Sequence, residues 1–235
     1  MLKGLKIRTP FFEIGVKNYI YGDCVLELAK AADEASKKYD IDVLFIAPYA
    51  DIRRVVENTK KLIVLAPHMD TLRPGRGMAD VLPESIKAAG AKGVIVNHCE
   101  CPLSISETKK TIDRAHEIGL FTFACADSLA EAQAIAHLHP DIINPEPTEL
   151  VGSGVVSDMS YVKKSIELIK AIDFEIIVEQ AAGISNGKQV YDFICAGAEA
   201  VGAASGIFNA KDPLAMVDEM VRSVRQACDD MMNRR

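Results

Sequence analysis

The sequence predicts one (β/α)8 barrel, in which a closed parallel sheet of eight strands lies inside a ring of helices. Short apolar runs alternate with longer amphipathic stretches eight times, which is the pattern of repeated strand–helix units. The chain has 235 residues, a length that such barrels commonly have as one domain. No linker, low-complexity tract or change in composition divides it. We therefore predict a single domain over residues 1–235.

The predicted strands are apolar runs of four to six residues, within the usual range of strand lengths. Because helix-like sequence separates consecutive runs, the strands should be parallel. They are Phe11–Gly15, Asp42–Ala47, Leu62–Ala66, Gly93–Asn97, Leu120–Ala124, Asp141–Asn144, Glu175–Glu179 and Ala200–Ala204.

Amphipathic segments between and after the strands predict eight helices. Several follow an Asp, Ser or Asn that caps free N–H groups, among them Asp23 and Ser128, and the last has Pro213 in its first turn. Residues 68–80 contain Pro and Gly without a helical period, so this third loop should lie over the barrel mouth. The predicted helices are Cys24–Tyr39, Ala50–Thr59, Leu82–Ala89, Ser106–Glu117, Leu129–Leu138, Ser160–Ala171, Gly187–Ala196 and Pro213–Met232.

The composition limits the partners and the location of the protein. A net charge of −6 disfavours nucleic acid and anionic membranes as partners. The six cysteines, at positions 24, 99, 101, 125, 195 and 228, lie in apolar runs, which favours reduced thiols over a disulfide framework. No leader opens the chain, and no apolar run approaches the roughly 18 residues of a membrane span. We predict a soluble cytoplasmic protein.

In this fold the functional residues follow the carboxyl ends of the strands. Alternation along the first strand places Glu13, Gly15 and Lys17 on one face, with Lys17 at the mouth. After the fourth strand, His98 lies near the carboxylate of Glu100 and is a candidate acid or electrophile. A solvated lysine and a structural histidine stay open as alternatives at these two positions.

Two other interpretations of the segment after the fourth strand are disfavoured. A metal site at His98, Cys99 and Cys101 lacks the Cys-x-x-Cys pair of structural zinc sites, and no second pair follows. A Cys99 nucleophile beside His98 is disfavoured because adjacent strand residues point to opposite faces. We predict neither a metal nor any other cofactor.

The sixth strand leads into a loop that carries two prolines before a pair of glycines, as a lid with stiff and flexible ends would. Glu146 is its catalytic candidate, because desolvation under a closed lid raises the basicity of a carboxylate. An ordinary exposed glutamate is the alternative. The turns at residues 181–187 and 203–206 open onto helices and could direct backbone N–H groups at a phosphate.

Together these segments resemble the triosephosphate isomerase family, in particular its compact archaeal-type branch, over nearly the whole chain. The resemblance implies a TIM barrel that isomerises glyceraldehyde 3-phosphate and dihydroxyacetone phosphate through an enediolate, a step of glycolysis and gluconeogenesis. The matching segments are Lys17, Pro74-Gly75, Val81–Glu84, Asn97-His98-x-Glu100, Glu146–Gly154, Ala182–Gly187 and Ala204–Gly206.

The resemblance also implies roles for particular residues. Glu146 is implied as the base, His98 as the electrophile and proton shuttle, and Lys17 as the cation that favours an anionic substrate. Glu100 is expected to hold Lys17 by an ion pair. No cofactor is implied, and the family's assemblies imply a homodimer or homotetramer to which the third loop contributes. The donors to the substrate phosphate are expected to be Gly152, Ser185, Ser205 and Gly206.

Some residues depart from the family. Gly15 stands where Asn is usual in the family, and Glu13 below it is unexpectedly inward-facing. The absence of an Asn side chain at position 15 opens about the volume of one hydroxymethylene group. An isomerase of a four-carbon ketose phosphate, such as erythrulose phosphate, is therefore the first alternative function. A non-catalytic barrel that binds a sugar phosphate is the second. Residues 99–102 also differ from the family, so the packing of that loop is not predicted. Residues 179–181 differ as well, so the orientation of the substrate phosphate is not predicted.

Overall fold

The computed structural model describes residues 7–150, 152–153 and 155–233, and eight parallel strands in it form a closed barrel. Each strand pairs with the next one in sequence, and the last pairs with the first. The predicted fold is confirmed. The strands are β1 (Phe11–Gly15), β2 (Val43–Ile46), β3 (Ile63–Ala66), β4 (Gly93–Val96), β5 (Phe121–Ala126), β6 (Ile142–Pro145), β7 (Ile177–Gln180) and β8 (Ala200–Ala203).

The strand limits differ from the predicted ones by one or two residues. β5 continues to Ala126 because that residue pairs with Pro145 of β6. β7 begins at Ile177 and not at Glu175, whose backbone N–H donates to the Asp173 carboxylate at 3.0 Å in a preceding turn. Local turns of this kind shorten or extend a strand without changing the order of the sheet.

Helices cover the outside of the barrel, and their limits lie close to the predicted ones. The second predicted helix is preceded by a 3-10 turn at Tyr49–Asp51, and α8 is a short helix that the sequence did not predict. The helices are α1 (Asp23–Tyr39), α2 (Ile52–Asn58), α3 (Pro83–Ala88), α4 (Ile105–Ile118), α5 (Leu129–Ala136), α6 (Met159–Ile172), α7 (Gly187–Cys195), α8 (Ser205–Phe208) and α9 (Pro213–Asn233).

Side-chain caps fix the start of several helices. Ser104 forms a capping box with Glu107 at α4, and Ser128 accepts a backbone N–H at α5 as predicted. Asp23 does not cap α1: it is the first helical residue, it follows Gly22, and its carboxylate contacts Arg54. The prediction of an Asp cap at that helix was therefore wrong.

Two apolar layers fill the structure. The inner layer lies inside the barrel and includes Phe11, Leu65 and Phe123, whereas the outer layer, with Phe12 and Phe45, lies between the sheet and the helices. Strands buried on both faces need apolar residues at nearly every position, which explains the apolar runs in the sequence. The inner layer fills the lower part of the barrel with apolar side chains.

The third loop has no helix before Pro83, as predicted. Asp70 closes its base, because its carboxylate accepts the N–H of Val81 at 2.6 Å while its own N–H donates to the Val81 carbonyl at 3.0 Å. Further out, Arg73 forms a bidentate ion pair with Glu117 of α4 at 2.7 and 2.9 Å. None of the described helices is both long enough and apolar enough to cross a bilayer.

Candidate active site

A cavity of about 370 Å³ opens at the carboxyl ends of the strands. Lys17, His98 and Glu146 all line it, although they follow β1, β4 and β6 respectively. The volume lies at the lower end of the range of about 300–1,000 Å³ for small-ligand sites. The barrel therefore brings the three predicted catalytic residues to one small pocket.

Lys17 provides a cation at the wall of this cavity. It follows β1 in the left-handed conformation, with φ at 48°, and its side chain is mostly buried. Its Nζ lies 3.2 Å from Glu100 Oε1, so the expected ion pair is present. Burial disfavours the charged form, but the Glu100 carboxylate outweighs burial, and the pKa of Lys17 is raised. The lysine stays charged at neutral pH.

His98 is held as a neutral imidazole. Burial, together with the nearby Lys17 charge, lowers its pKa below the ordinary value. The backbone N–H of Glu100 donates to Nδ1 at 3.1 Å, so Nδ1 is an acceptor and the ring proton lies on Nε2. A neutral imidazole with its proton on Nε2 can donate a hydrogen bond to a ligand oxygen in the cavity.

Glu146 has the environment of a base. Burial raises its pKa, opposed by the Lys17 charge and by a 3.4 Å hydrogen bond from Asn144 Nδ2. Its backbone N–H donates to the Ala126 carbonyl at 2.8 Å, which ties the start of the loop to β5. A carboxylate that is partly desolvated in this way accepts protons more readily than an exposed one.

The loop after Glu146 packs against the turn after β7. It contains a 3-10 turn at Thr148–Leu150, and its Gly152, with φ at 71°, lines the cavity. Gly183 also has a left-handed φ of 70°, and a side chain there would overlap the Val155 carbonyl. The two segments therefore meet through backbone atoms. Val151 and Gly154, which belong to the predicted lid, lie outside the described residues.

The four expected phosphate donors differ in their accessibility. Gly152 and Ser205 line the cavity, and Ser205 begins α8. Gly206 packs against the Ile184 carbonyl, so close that a side chain would not fit there. The N–H and the hydroxyl of Ser185 lie 2.7 and 3.2 Å from Gln189 Oε1, so both of its donors are already engaged within the protein.

The turn after β4 overturns one argument from the sequence. The strand ends at Val96, and Asn97 takes a left-handed φ of 58°, so His98 and Cys99 do not lie on opposite faces of a strand. Cys99 Sγ lies 3.9 Å from His98 Nδ1. Burial nevertheless raises the pKa of the Cys99 thiol, which disfavours a thiolate nucleophile. Within the described ranges, no three His, Cys, Asp or Glu side chains are arranged to hold a metal ion.

Asn97 is a positioning residue whose role was not predicted from the sequence. Its Nδ2 donates to the Cys125 carbonyl at 3.1 Å and to Glu131 at 3.0 Å, while its Oδ1 accepts the N–H of Leu103 at 2.8 Å. These three bonds fix the turn that carries His98. Its place at the end of the predicted fourth strand, directly before His98, was the available signal.

The floor of the cavity carries two further carboxyl groups, from Glu13 on β1 and Glu179 on β7. Their exposed fractions are 6% and 0%. Burial, with a further contribution from Glu146, raises the pKa of Glu13 to about 8, and burial raises the pKa of Glu179 well above its ordinary value. Glu13 was predicted on the inner face, whereas Glu179 was predicted only as part of a departure from the family near the phosphate turn.

Comparisons with known proteins agree on one family. A family model described as triosephosphate isomerase matches residues 14–208. A triosephosphate isomerase of Methanobacterium bryantii is 35% identical over 221 residues, which cover 92% of this chain and 97% of the relative. A triosephosphate isomerase of Sulfolobus acidocaldarius is 30% identical over 228 residues, which cover 95% and 98%.

A solved structure supports the fold. The crystal structure of triosephosphate isomerase from Bartonella henselae superposes with a TM-score of 0.74, covering 95% of this chain and 100% of that one. The sequence identity is 14%, so this likeness concerns the architecture alone. It agrees with the closed eight-stranded barrel.

Proposed function

This chain belongs to the triosephosphate isomerase family, and on that premise we propose that it interconverts glyceraldehyde 3-phosphate and dihydroxyacetone phosphate. The observation that carries the proposal is the meeting of Lys17, His98 and Glu146 in one cavity. Aldose–ketose isomerisation needs a base, a polarised carbonyl and shelter from bulk water, and these groups with the loop after β6 supply each of them.

In the proposed reaction, Glu146 removes the proton from the carbon beside the carbonyl. The electron pair moves toward the carbonyl oxygen, which takes a proton from His98 Nε2. The shifts suit these roles: burial raises the pKa of Glu146, which makes its carboxylate a stronger base, and burial lowers the pKa of His98, which favours the neutral imidazole. Glu146 then gives its proton to the former carbonyl carbon. The hydroxyl oxygen on the neighbouring carbon gives its proton to His98 Nε2 and becomes the new carbonyl, which restores both side chains.

Lys17 stabilises the negative charge that the enediolate and the phosphate bring into the cavity. Glu100 holds it there through the 3.2 Å ion pair. Gly152 and Ser205 are the proposed first donors to the phosphate, because both line the cavity. Gly206 and Ser185 support these turns, and Gly15 leaves room near the reacting carbons.

A coupled assay with purified protein and no added metal tests the proposal. Glu146→Gln should lower kcat for glyceraldehyde 3-phosphate by about 10²–10⁴, the usual contribution of a general base. Glu149→Gln is the matched control, because Glu149 lies exposed in the same loop. A wild-type protein without isomerase activity would favour the alternative of a non-catalytic barrel that binds a sugar phosphate.

The assembly and location are part of the same proposal. The third loop exposes Met78 almost completely, at 92%, which suits a contact with a second copy in a homodimer or homotetramer. All six cysteines are unpaired, which suits a reducing cytoplasm. The closed barrel suits a single domain over residues 1–235. A light-scattering measurement of the molar mass tests the assembly.

A further inference from the structure

Two carboxyl groups at the cavity floor carry oxygens that have no hydrogen-bond partner among the described residues. Glu13 and Glu179 are almost fully buried, and both line the cavity. Within the part of the chain that the structure describes, Glu13 Oε1 and both oxygens of Glu179 lack a hydrogen-bond partner. Buried polar side-chain atoms are paired in the large majority of cases, and these three oxygens are available for hydrogen bonds to a ligand in the cavity.

The backbone around the two groups is shaped to admit them. Gly202 on β8 lies opposite Glu13 in the register, and β8 also pairs with β7, the strand of Glu179. A side chain at position 202 would collide with Glu13 Oε2 and with Glu179 Oε1. The glycine therefore lets the two carboxyl groups converge on one point at the floor.

The space above Glu13 is also open. A Cβ at Gly15 would meet Glu13 Oε1 at 3.2 Å and otherwise only the Ala204 side chain at 3.7 Å. The unpartnered Glu13 oxygen therefore borders the volume that a side chain at position 15 would occupy. A ligand in the cavity can reach this oxygen from above.

The chemistry of the pair matches a hydroxyl group. Two adjacent buried carboxylates without partners would repel each other and lose their hydration, so the pair keeps a proton. The raised pKa of both groups agrees with this protonation. A carboxylic acid donates a hydrogen bond and a carboxylate accepts one, whereas a hydroxyl does both. An alcohol that reaches the floor can therefore satisfy both groups.

The position of the pair indicates which part of a substrate it meets. Glu146 lines the same cavity as both floor groups, and its charge contributes to the raised pKa of each. The proposed phosphate donors Gly152 and Ser205 belong to other loops at the mouth. The floor therefore borders the same cavity in which the proposed base and the reacting carbons would meet.

We propose that Glu13 and Glu179 form a hydroxyl-binding subsite for a sugar phosphate that is one hydroxymethylene group longer than a triose phosphate. This inference rests on the proposed isomerase function and widens its substrate class to four-carbon sugar phosphates. The extra hydroxyl donates to the carboxylate and accepts from the carboxylic acid. A triose phosphate leaves the pair without this partner.

Steady-state kinetics on both substrate lengths test the inference. The probes are glyceraldehyde 3-phosphate and the 1- and 4-phosphates of erythrulose. We expect the wild type to isomerise one erythrulose phosphate with a kcat/KM within about tenfold of that for the triose, because the hydroxyl is bound by buried partners. Glu179→Leu should lower the ratio of four-carbon to three-carbon kcat/KM at least about tenfold, since it removes the hydrogen-bonding atoms.

Controls separate this outcome from general damage. Glu175→Gln changes an exposed residue just before β7 and should leave the ratio as it is. Gly15→Ala places a methyl group beside Glu13 Oε1 and should lower the same ratio without removing a carboxyl group. The Gly15→Ala variant can therefore test the subsite even if Glu179→Leu does not fold.

The possible failures are distinguishable. Turnover of the triose alone by the wild type would overturn the subsite and leave the isomerase function intact, as would an unchanged ratio in both variants. A wild type that isomerises none of the three sugar phosphates would overturn the isomerase function and, with it, this inference.

Discussion

The two carboxyl groups at the cavity floor should make the protein less stable as the pH rises. Glu13 has a pKa of about 8 in the folded protein because it is buried beside Glu146, and Lys17 only partly opposes this. In the unfolded chain a glutamate loses its proton near its ordinary pKa of about 4.3. The folded state therefore binds more protons than the unfolded state between these values. Stability is greatest below the lower pKa and falls until the pH passes the higher one.

The size of the effect follows from the distance between the two pKa values. Each unit corresponds to about 1.4 kcal/mol, so Glu13 alone should lower the free energy of unfolding by about 3 kcal/mol between about pH 5 and pH 8. The free energy of unfolding of natural domains is only about 5–15 kcal/mol, so a change of this size is easy to measure. Glu179 acts in the same direction, because its pKa is raised as well.

Urea unfolding followed by circular dichroism at several pH values measures this slope. The double variant Glu13→Gln/Glu179→Gln keeps the shape of both side chains and removes both titrating groups, so its stability should change much less over the same range. Glu167→Gln, at an exposed position on α6, is the matched control and should follow the wild type. Equal slopes in the wild type and the double variant would refute the reasoning.

Two further predictions concern the proposed base and its loop. The acidic limb of the pH profile of kcat/KM should lie above the ordinary glutamate pKa, because burial raises the pKa of Glu146. Lys17→Met should move this limb to higher pH, because the Lys17 charge lowers the pKa of Glu146. A move of the limb to lower pH would contradict the role of Glu146 as the base. Gly183→Ala should cost about 1–3 kcal/mol in urea unfolding and should also lower kcat/KM, because the new Cβ overlaps the Val155 carbonyl. Gly197→Ala is its control, since that glycine has a φ of 107° but no atom near its Cβ position; equal losses in the two variants would argue against the clash.

The fold could be predicted from the sequence because a buried parallel strand needs apolar residues on both faces. This requirement is local, so the eight runs could be found without knowing what they contact. The limits of β7 were harder to predict from the sequence. Glu175 was predicted as strand because it adjoins an apolar run, but the carboxylate of Asp173 holds it in a turn. A side-chain hydrogen bond of this kind leaves little trace in hydrophobic periodicity.

The mouth of the site was also predictable, whereas its floor was not. Lys17, His98 and Glu146 follow strand ends, where the fold places functional groups. Glu179 was predicted as the last residue of its strand, but Gln180 continues β7 and donates to Ser165 Oγ at 3.0 Å. The convergence of Glu179 with Glu13 depends on the strand register at closure, which one sequence does not specify.

The closure of the barrel by β1 and β8 has a consequence for synthesis of the protein. Lys17 is synthesised before β8. One edge of β1, the strand that precedes Lys17, pairs with β8, and this edge stays unpaired until β8 has left the ribosome. Until β8 emerges, β1 has a free edge that can pair with another chain. Such distant pairing slows folding, and partly made chains with open edges are prone to aggregate. The residues of the candidate active site can therefore take up their final arrangement only after β8 has left the ribosome and paired with β1.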